Sequence, residues 1–148
     1  MGFMSKLKSA VNSLTGGSAK VTVTAESPTR DAPFKVKVKA VVADQPLEIS
    51  RVYVQLSGYE KVVIHNVQHE KFTRDETEYC TTFDQEFVIA QAQTLNAKGE
   101  YEWEGQVEFP KNVPPTYHGR NATHELRIFA GLDTKGNDPD SGWVTLAV

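Results

Sequence analysis

The sequence predicts an all-β fold, an antiparallel β-sandwich of immunoglobulin-like architecture, preceded by one short amphipathic helix. Three observations predict it. Over residues 99–110 the chain alternates with period two: Tyr101, Trp103, Val107 and Phe109 point one way, Glu102, Glu104, Gln106 and Glu108 the other. Successive strand side chains change faces, so this is a strand with one buried and one wet face. About eight runs of strand length, separated by Gly, Pro, Asn and Asp, follow one another along the chain. No helical pattern lies between them, so a parallel sheet has no crossovers to build it.

The elements follow in order. In residues 1–15, Phe3, Met4, Leu7, Ala10, Val11 and Leu14 recur at spacings of three and four and make one apolar stripe. Gly16 and Gly17 end that helix, because glycine accepts the left-handed terminal conformation cheaply. The chain thus divides into a helix and its turn over 1–17 and a single sandwich domain over 18–148. Residues 19–26 alternate on Val21 and Val23, and 27–33 form a turn rich in Pro and Asp. Residues 34–42 place Phe34, Val36, Val38 and Ala40 on one face and Lys35, Lys37 and Lys39 on the other. Those lysines are expected opposite Glu102, Glu104 and Glu108, since cross-strand opposite charges attract.

After a turn at Asp44, Gln45 and Pro46, residues 49–59 carry Val52, Val54 and Leu56 inward. Residues 61–67 read as a further strand, and the polar stretch 73–78 as a loop. Residues 79–91 hold Phe83, Phe87 and Ile89 at even spacing, with a turn or bulge near Asp84. The strand through Phe109 stops at Pro110 and the pair Pro114 and Pro115, because proline cannot donate to a ladder. A strand through residues 126–133 follows, and 143–148 close the chain.

A length of 148 residues can bury a real core without staples. A net charge of −3, with no block of like charges, speaks against nucleic-acid binding, which needs a basic surface. The single cysteine, Cys80, cannot form an internal disulfide and fits a reducing compartment. No apolar run approaches the roughly 20 residues that cross a bilayer. Lys6, Lys8, Asn12 and Ser13 interrupt what a secretory signal would need as a continuous apolar stretch. Lys6 also spoils a myristoylation signal at Gly2. The expected location is cytoplasmic, where the Asn121-Ala122-Thr123 sequon has no consequence.

These residues resemble the arrestin-like family, and within it the bacterial sporulation-control branch. The resemblance rests on Val36-x-Val38, then Pro46-Leu47-x-Ile49-x-x-Val52-x-Val54-x-Leu56-x-Gly58. It continues through Gly99-x-Tyr101-x-Trp103-x-Gly105-x-Val107-x-Phe109-Pro110, the turn Pro114-Pro115-Thr116-Tyr117-x-Gly119 and Ala130-Gly131-Leu132-Asp133. The opening helix, the glycine pair and Ala19-Lys20-Val21 are similar to the same branch. The resemblance implies an adaptor or regulatory protein that binds other proteins through sheet edges and loops. It implies no enzymatic activity, no cofactor and no catalytic site. Two departures stand out. Asp31, Ala32 and Pro33 occupy the place of a glycine-containing turn, and the sequence supplies one sandwich where full members stack two. Regulation by releasing two lobes within one chain is therefore not expected.

The expected protein contacts are the stripe Phe3, Met4, Leu7, Val11 and Leu14 and the loop residues Tyr117, His118 and Arg120. The stripe can cap the sandwich, pack on a second copy in a homodimer, or lie on an anionic membrane with Lys6, Lys8 and Lys20; packing on protein is the default. Tyr117, following a rigid turn, reads first as an anchor in the core. A second reading is a small-ligand or carbohydrate-binding sandwich in which Trp143 or Trp103 stacks on the ligand, although Trp103 falls on a buried face. Chemical motifs are weak. His65 and His69 lie four apart on a strand, spanning roughly 13 Å, too far for one zinc. Asp133, Asn137, Asp138 and Asp140 make an oxygen-rich loop, but Lys135 breaks the calcium pattern and ordinary turns use the same residues. Cys80 reads as a small buried hydrophobe; His65, His69, His118 and His124 are possible bases, with no motif that sets one beside it. No metal or cofactor is expected.

Overall fold

The computed structural model describes residues 17–148, so the predicted helix and the stripe Phe3, Met4, Leu7, Val11 and Leu14 lie outside the described residues. The elements are β1 (Ala19–Glu26), β2 (Phe34–Val42), β3 (Leu47–Ile49), β4 (Arg51–Gln68), β5 (Thr73–Ala90), β6 (Gln93–Leu95), β7 (Glu100–Val107), β8 (Tyr117–His118), β9 (Ala122–Asp133) and β10 (Val144–Leu146). One sheet runs β1-β2-β7 and a second runs β10-β9-β4-β5, with β8 also on β9; β3 and β6 form a small third pair. Every pairing is antiparallel.

The alternation read from the sequence places the core. Val21, Val36, Val38 and Ala40 of the smaller sheet are buried, and so are Val52, Val54, Leu56, Leu126, Ile128 and Ala130 of the larger one. These rows belong to one continuous apolar cluster between the sheets. Removing such side chains from water is the dominant favourable term, at roughly 1.5–3 kcal/mol for each large residue. Aromatic packing closes one end: Phe34 and Phe83 both sit against Phe109, with centroids 5.5 and 5.8 Å away.

The wet face of the smaller sheet carries the expected charge pattern. Lys37 faces Glu104 and Lys39 faces Glu102 in register. Lys37 lies 3.3 Å from Glu26, 3.8 Å from Glu102 and 3.4 Å from Glu104, and Lys35 lies 3.7 Å from Glu104. Glu108 falls beyond the end of β7 and does not join this ladder. The hydrogen bond to Glu26, then that to Glu104, raises the Lys37 pKa above its ordinary value.

β4 and β5 depart from expectation. The runs 49–59 and 61–67 are not separate strands, because β4 continues for 18 residues and breaks only before Arg51. The stretch 73–78 is not a loop but the first part of β5, also 18 residues long. Its residues lie past the end of the core, since β4 loses its partner β9 after the pair Val62 and Ala122. Beyond that point β4 and β5 form a two-stranded ribbon that water reaches on both faces. A ribbon wet on both sides needs no hydrophobic alternation, so the pattern that marks a half-buried strand is missing.

The predicted irregularity near Asp84 falls two residues earlier. Gly58 faces Phe83 and Tyr59 faces Thr81, leaving Thr82 as the extra residue of a bulge. Gly58 makes room for it: a Cβ there would come within 2.6 Å of the Phe83 ring and against the Thr82 hydroxyl.

Leu56→Ala is expected to cost roughly 2–5 kcal/mol in urea unfolding, because Leu56 is fully buried. Gly58→Ala should lower the melting temperature and shift the amide resonances of Thr82 and Phe83, whereas Ser57→Ala should leave those resonances in place. For Lys37→Glu we expect a lower melting temperature at low salt and a smaller deficit in 1 M salt, since screening removes the added repulsion.

Candidate functional site

The loop predicted as a contact surface is exposed and firmly seated. β8 pairs with the start of β9, Tyr117 opposite His124 and His118 opposite Thr123. Tyr117 is 53% exposed and does not anchor the core. Its ring folds instead over Gly119, where a Cβ would collide with the phenol, so the aromatic bulk spreads along the surface. His118 and Arg120 are exposed beside it. The structure therefore brings Tyr117, His118 and Arg120 into one accessible patch.

The anchor of this loop is His124, which is only 4% exposed. Its Nδ1 lies 3.0 Å from the carbonyl of Pro115 and its Nε2 lies 2.7 Å from the Thr82 hydroxyl. A carbonyl only accepts, so Nδ1 donates to Pro115, and Nε2 shares a hydrogen bond with the Thr82 hydroxyl. One side chain thus ties the double-proline turn, β9 and the β5 bulge together. The sequence shows His124 only as one of four histidines; its inward position in β9 separates it from the others.

At the ribbon tip, His65 and His69 serve carboxylates. His65 Nδ1 lies 2.9 Å from Asp75 Oδ2 and Nε2 lies 2.9 Å from Asn121 Oδ1. Both partners can accept, so the two contacts favour the protonated ring. The bond to Asp75, then that to Asn121, accordingly raises the His65 pKa above its usual value of 6.5. Asp75 also accepts from the backbone N–H of Asn66, which with His65 lowers its carboxyl pKa. His69 Nε2 is 2.8 Å from Glu76, which Arg74 reaches at 3.1 Å. Among the described residues no group of three or more His, Cys, Asp or Glu gathers to hold a metal ion.

The 133–140 loop spends its carboxylates on β4 and on its own turn. Asp133 accepts from Arg51 at 3.0 Å, and Asp138 accepts from the Tyr53 hydroxyl at 3.1 Å and the Thr134 N–H at 3.0 Å. Asp140 accepts from the Gly142 N–H at 2.9 Å. Burial, then the nearby Asp138 charge, pushes the Tyr53 phenol pKa up, so it stays a donor.

Trp143 is 40% exposed on the outer face of the larger sheet. The Arg127 guanidinium lies 4.2 Å over its ring and 4.5 Å over that of Tyr59, while Phe129 packs 5.2 Å away. Arg127 thus covers one face of the Trp143 ring. Trp103 is half-buried and stacks 5.9 Å from Tyr101. Cys80 is exposed rather than buried, on β5 opposite Glu60 of β4. It sits on a feature that sequence patterning missed: among the described residues β5 forms the margin of its sheet, with only β4 beside it.

The paired charges at the tip give a pH signature. His65 is raised, so its contribution is complete below its unfolded pKa and is lost as pH rises through the folded value. Asp75 is lowered, so its contribution is present above the unfolded carboxylate range and is lost as pH falls through its folded value. Protection factors of the tip amides, corrected for the intrinsic exchange rate, should therefore be largest between those limits, and Asp75→Asn should move the His65 ring titration downward in NMR.

No protein-family model matches the chain, and no curated protein matches it. Among solved structures, Spo0M, the sporulation control protein from Bacillus subtilis, overlays with a TM-score of 0.62 at 18% identity. The overlay covers 88% of this chain and 49% of Spo0M, so the chain spans about half the length of that protein. The solution structure of a late embryogenesis abundant protein gives a TM-score of only 0.33 at 14% identity, covering 98% of this chain and 78% of that one. That overlay is too loose to bear on this fold. The all-β sandwich with antiparallel sheets, built on these strands, is the arrestin-like fold of Spo0M.

Proposed function

We propose that this chain is a cytoplasmic, non-enzymatic adaptor or regulatory protein that works through protein–protein contacts at strand edges and loops. The observation that carries the reading is the union of an arrestin-like sandwich with a seated, exposed loop. Tyr117, His118 and Arg120 offer an aromatic, an imidazole and a guanidinium on one patch, the kinds of side chain that anchor protein interfaces. His124 holds the patch in one shape, which lowers the entropic cost of ordering it on binding. The name of Spo0M, a sporulation control protein, supports a regulatory role for a chain that shares its fold. The competing ligand reading is weakened by Arg127, which already lies over one face of the Trp143 ring.

Affinity capture from native lysate with the full-length chain, beside the double variant Tyr117→Ala, Arg120→Glu, tests the proposal. The expected result is a protein retained by the wild type and lost, or reduced by about tenfold or more, with the variant. Retention of only sugar or lipid by the wild type would overturn the adaptor reading. A protein captured equally by both would move the contact off this loop.

A further inference from the structure

The margin of the larger sheet offers a second, more specific contact. Among the described residues, β5 has β4 on one side and no strand on the other. Its open backbone can be located. The Val63 N–H donates to the carbonyl of Asn121 at 2.7 Å, toward the β9 side. In an antiparallel strand the N–H and C=O of one residue point the same way and those of its neighbour point oppositely. Val63 faces Thr77 and Lys61 faces Tyr79, so neither pair exchanges ladder bonds. Thr77 and Tyr79 therefore aim their N–H and C=O groups out of the sheet, as the next strand would require.

The side chains flanking that edge state what the next strand should carry. β5 holds five carboxylates, Asp75, Glu76, Glu78, Asp84 and Glu86, against one arginine, Arg74. Glu76 is shared by Arg74 and His69, and Asp75 is bound to His65. Glu78 has no ion pair among the described residues, nor has Glu60, which faces Cys80 across the ribbon. Charges on an edge strand usually guard it against pairing. Here the guard works against a second copy, whose own carboxylates would be brought alongside. Against a basic strand it becomes an attraction. Tyr79, 58% exposed beside the open backbone, adds an apolar contact that simple protection does not call for.

The molecule already contains such a pairing. β2 presents Lys35, Lys37 and Lys39 between acidic neighbours and binds Glu26 of β1 and Glu102 and Glu104 of β7. We propose that the open edge of β5 around Thr77 and Tyr79 takes up an extended peptide of a partner protein that bears lysine or arginine at alternate positions. Backbone bonds to Thr77 and Tyr79 hold the strand, while Glu78 and Glu60 select its charge. This rests on the adaptor reading and names one partner surface within it.

The probe is a capped synthetic peptide with the sequence of residues 34–40, beside the same peptide with glutamate in place of its three lysines. It is titrated into the isotope-labelled full-length protein and followed by NMR. The lysine peptide is expected to shift the amides of Thr77 and Tyr79, and the glutamate peptide is not. Thr77→Pro removes an outward N–H that no ladder bond uses, so the fold should persist while Kd rises by about tenfold or more. Glu78→Lys, which leaves the backbone intact, should also weaken binding, as should added salt. Equal binding of the two peptides, shifts confined to β1 or β7, or an unchanged Kd in both variants would overturn the proposal. So would pairing of β5 edges between two copies in sedimentation. Lysate capture with Thr77→Pro separates the two readings. A protein retained as well as by the wild type leaves the adaptor standing and removes β5 from it. Peptide binding at β5 with no protein captured by the wild type sinks the adaptor and leaves the edge chemistry.

Discussion

The structure depends on the hydrogen bonding of β4. A strand in the middle of a sheet must satisfy its N–H and C=O groups on both sides, because each unpaired buried group costs about 1–3 kcal/mol. Over its first part β4 meets this demand with β5 on one side and β9 on the other, and Val52, Val54 and Leu56 are sealed inward. Past Val62, β9 is gone and β4 continues beside β5 alone. The ribbon, its exposed tip and the open margin of β5 all follow from one strand being longer than the core it crosses.

A single linkage keeps the two regimes in register. The Thr82 bulge lies four residues before β4 leaves β9, and Gly58 leaves it space. His124 takes the hydroxyl of that bulge and the carbonyl of Pro115 at once. The seated loop around Tyr117 and the departing ribbon are therefore held to the same buried ring. Both candidate contact surfaces flank this point, although one is a loop and the other a strand edge.

The surface charges divide into those used within the fold and those left open. Lys35, Lys37 and Lys39 neutralise the outer carboxylates of the smaller sheet, Arg51 serves Asp133, and the tip histidines serve Asp75 and Glu76. Exposed pairs of this kind add little stability, but they determine which charges a partner meets. The loop presents positive and aromatic groups, and the β5 edge presents carboxylates. The two surfaces therefore differ in charge on one small sandwich.

The sequence by itself determined where the core lies. Period two in residues 34–42, 49–59 and 99–109 reports which residues are inward, because one face of a strand must be dry and the other wet. The same alternation led to the expectation that Lys35, Lys37 and Lys39 lie opposite Glu102, Glu104 and Glu108, while the register that pairs Lys37 with Glu104 and leaves Glu108 out came from the structure. Only the tertiary structure decided the rest. The stretch 73–78 is a strand because β4 pairs with it, and no hydropathy pattern records pairing in a ribbon wet on both faces. Tyr117 lies on the surface because its ring packs on Gly119 within the loop, a choice that its type and position leave open. The exposure of Cys80, the burial of His124 and the free margin of β5 depend on which strands end up side by side. That is a property of contacts far apart along the chain, and local patterns do not encode it.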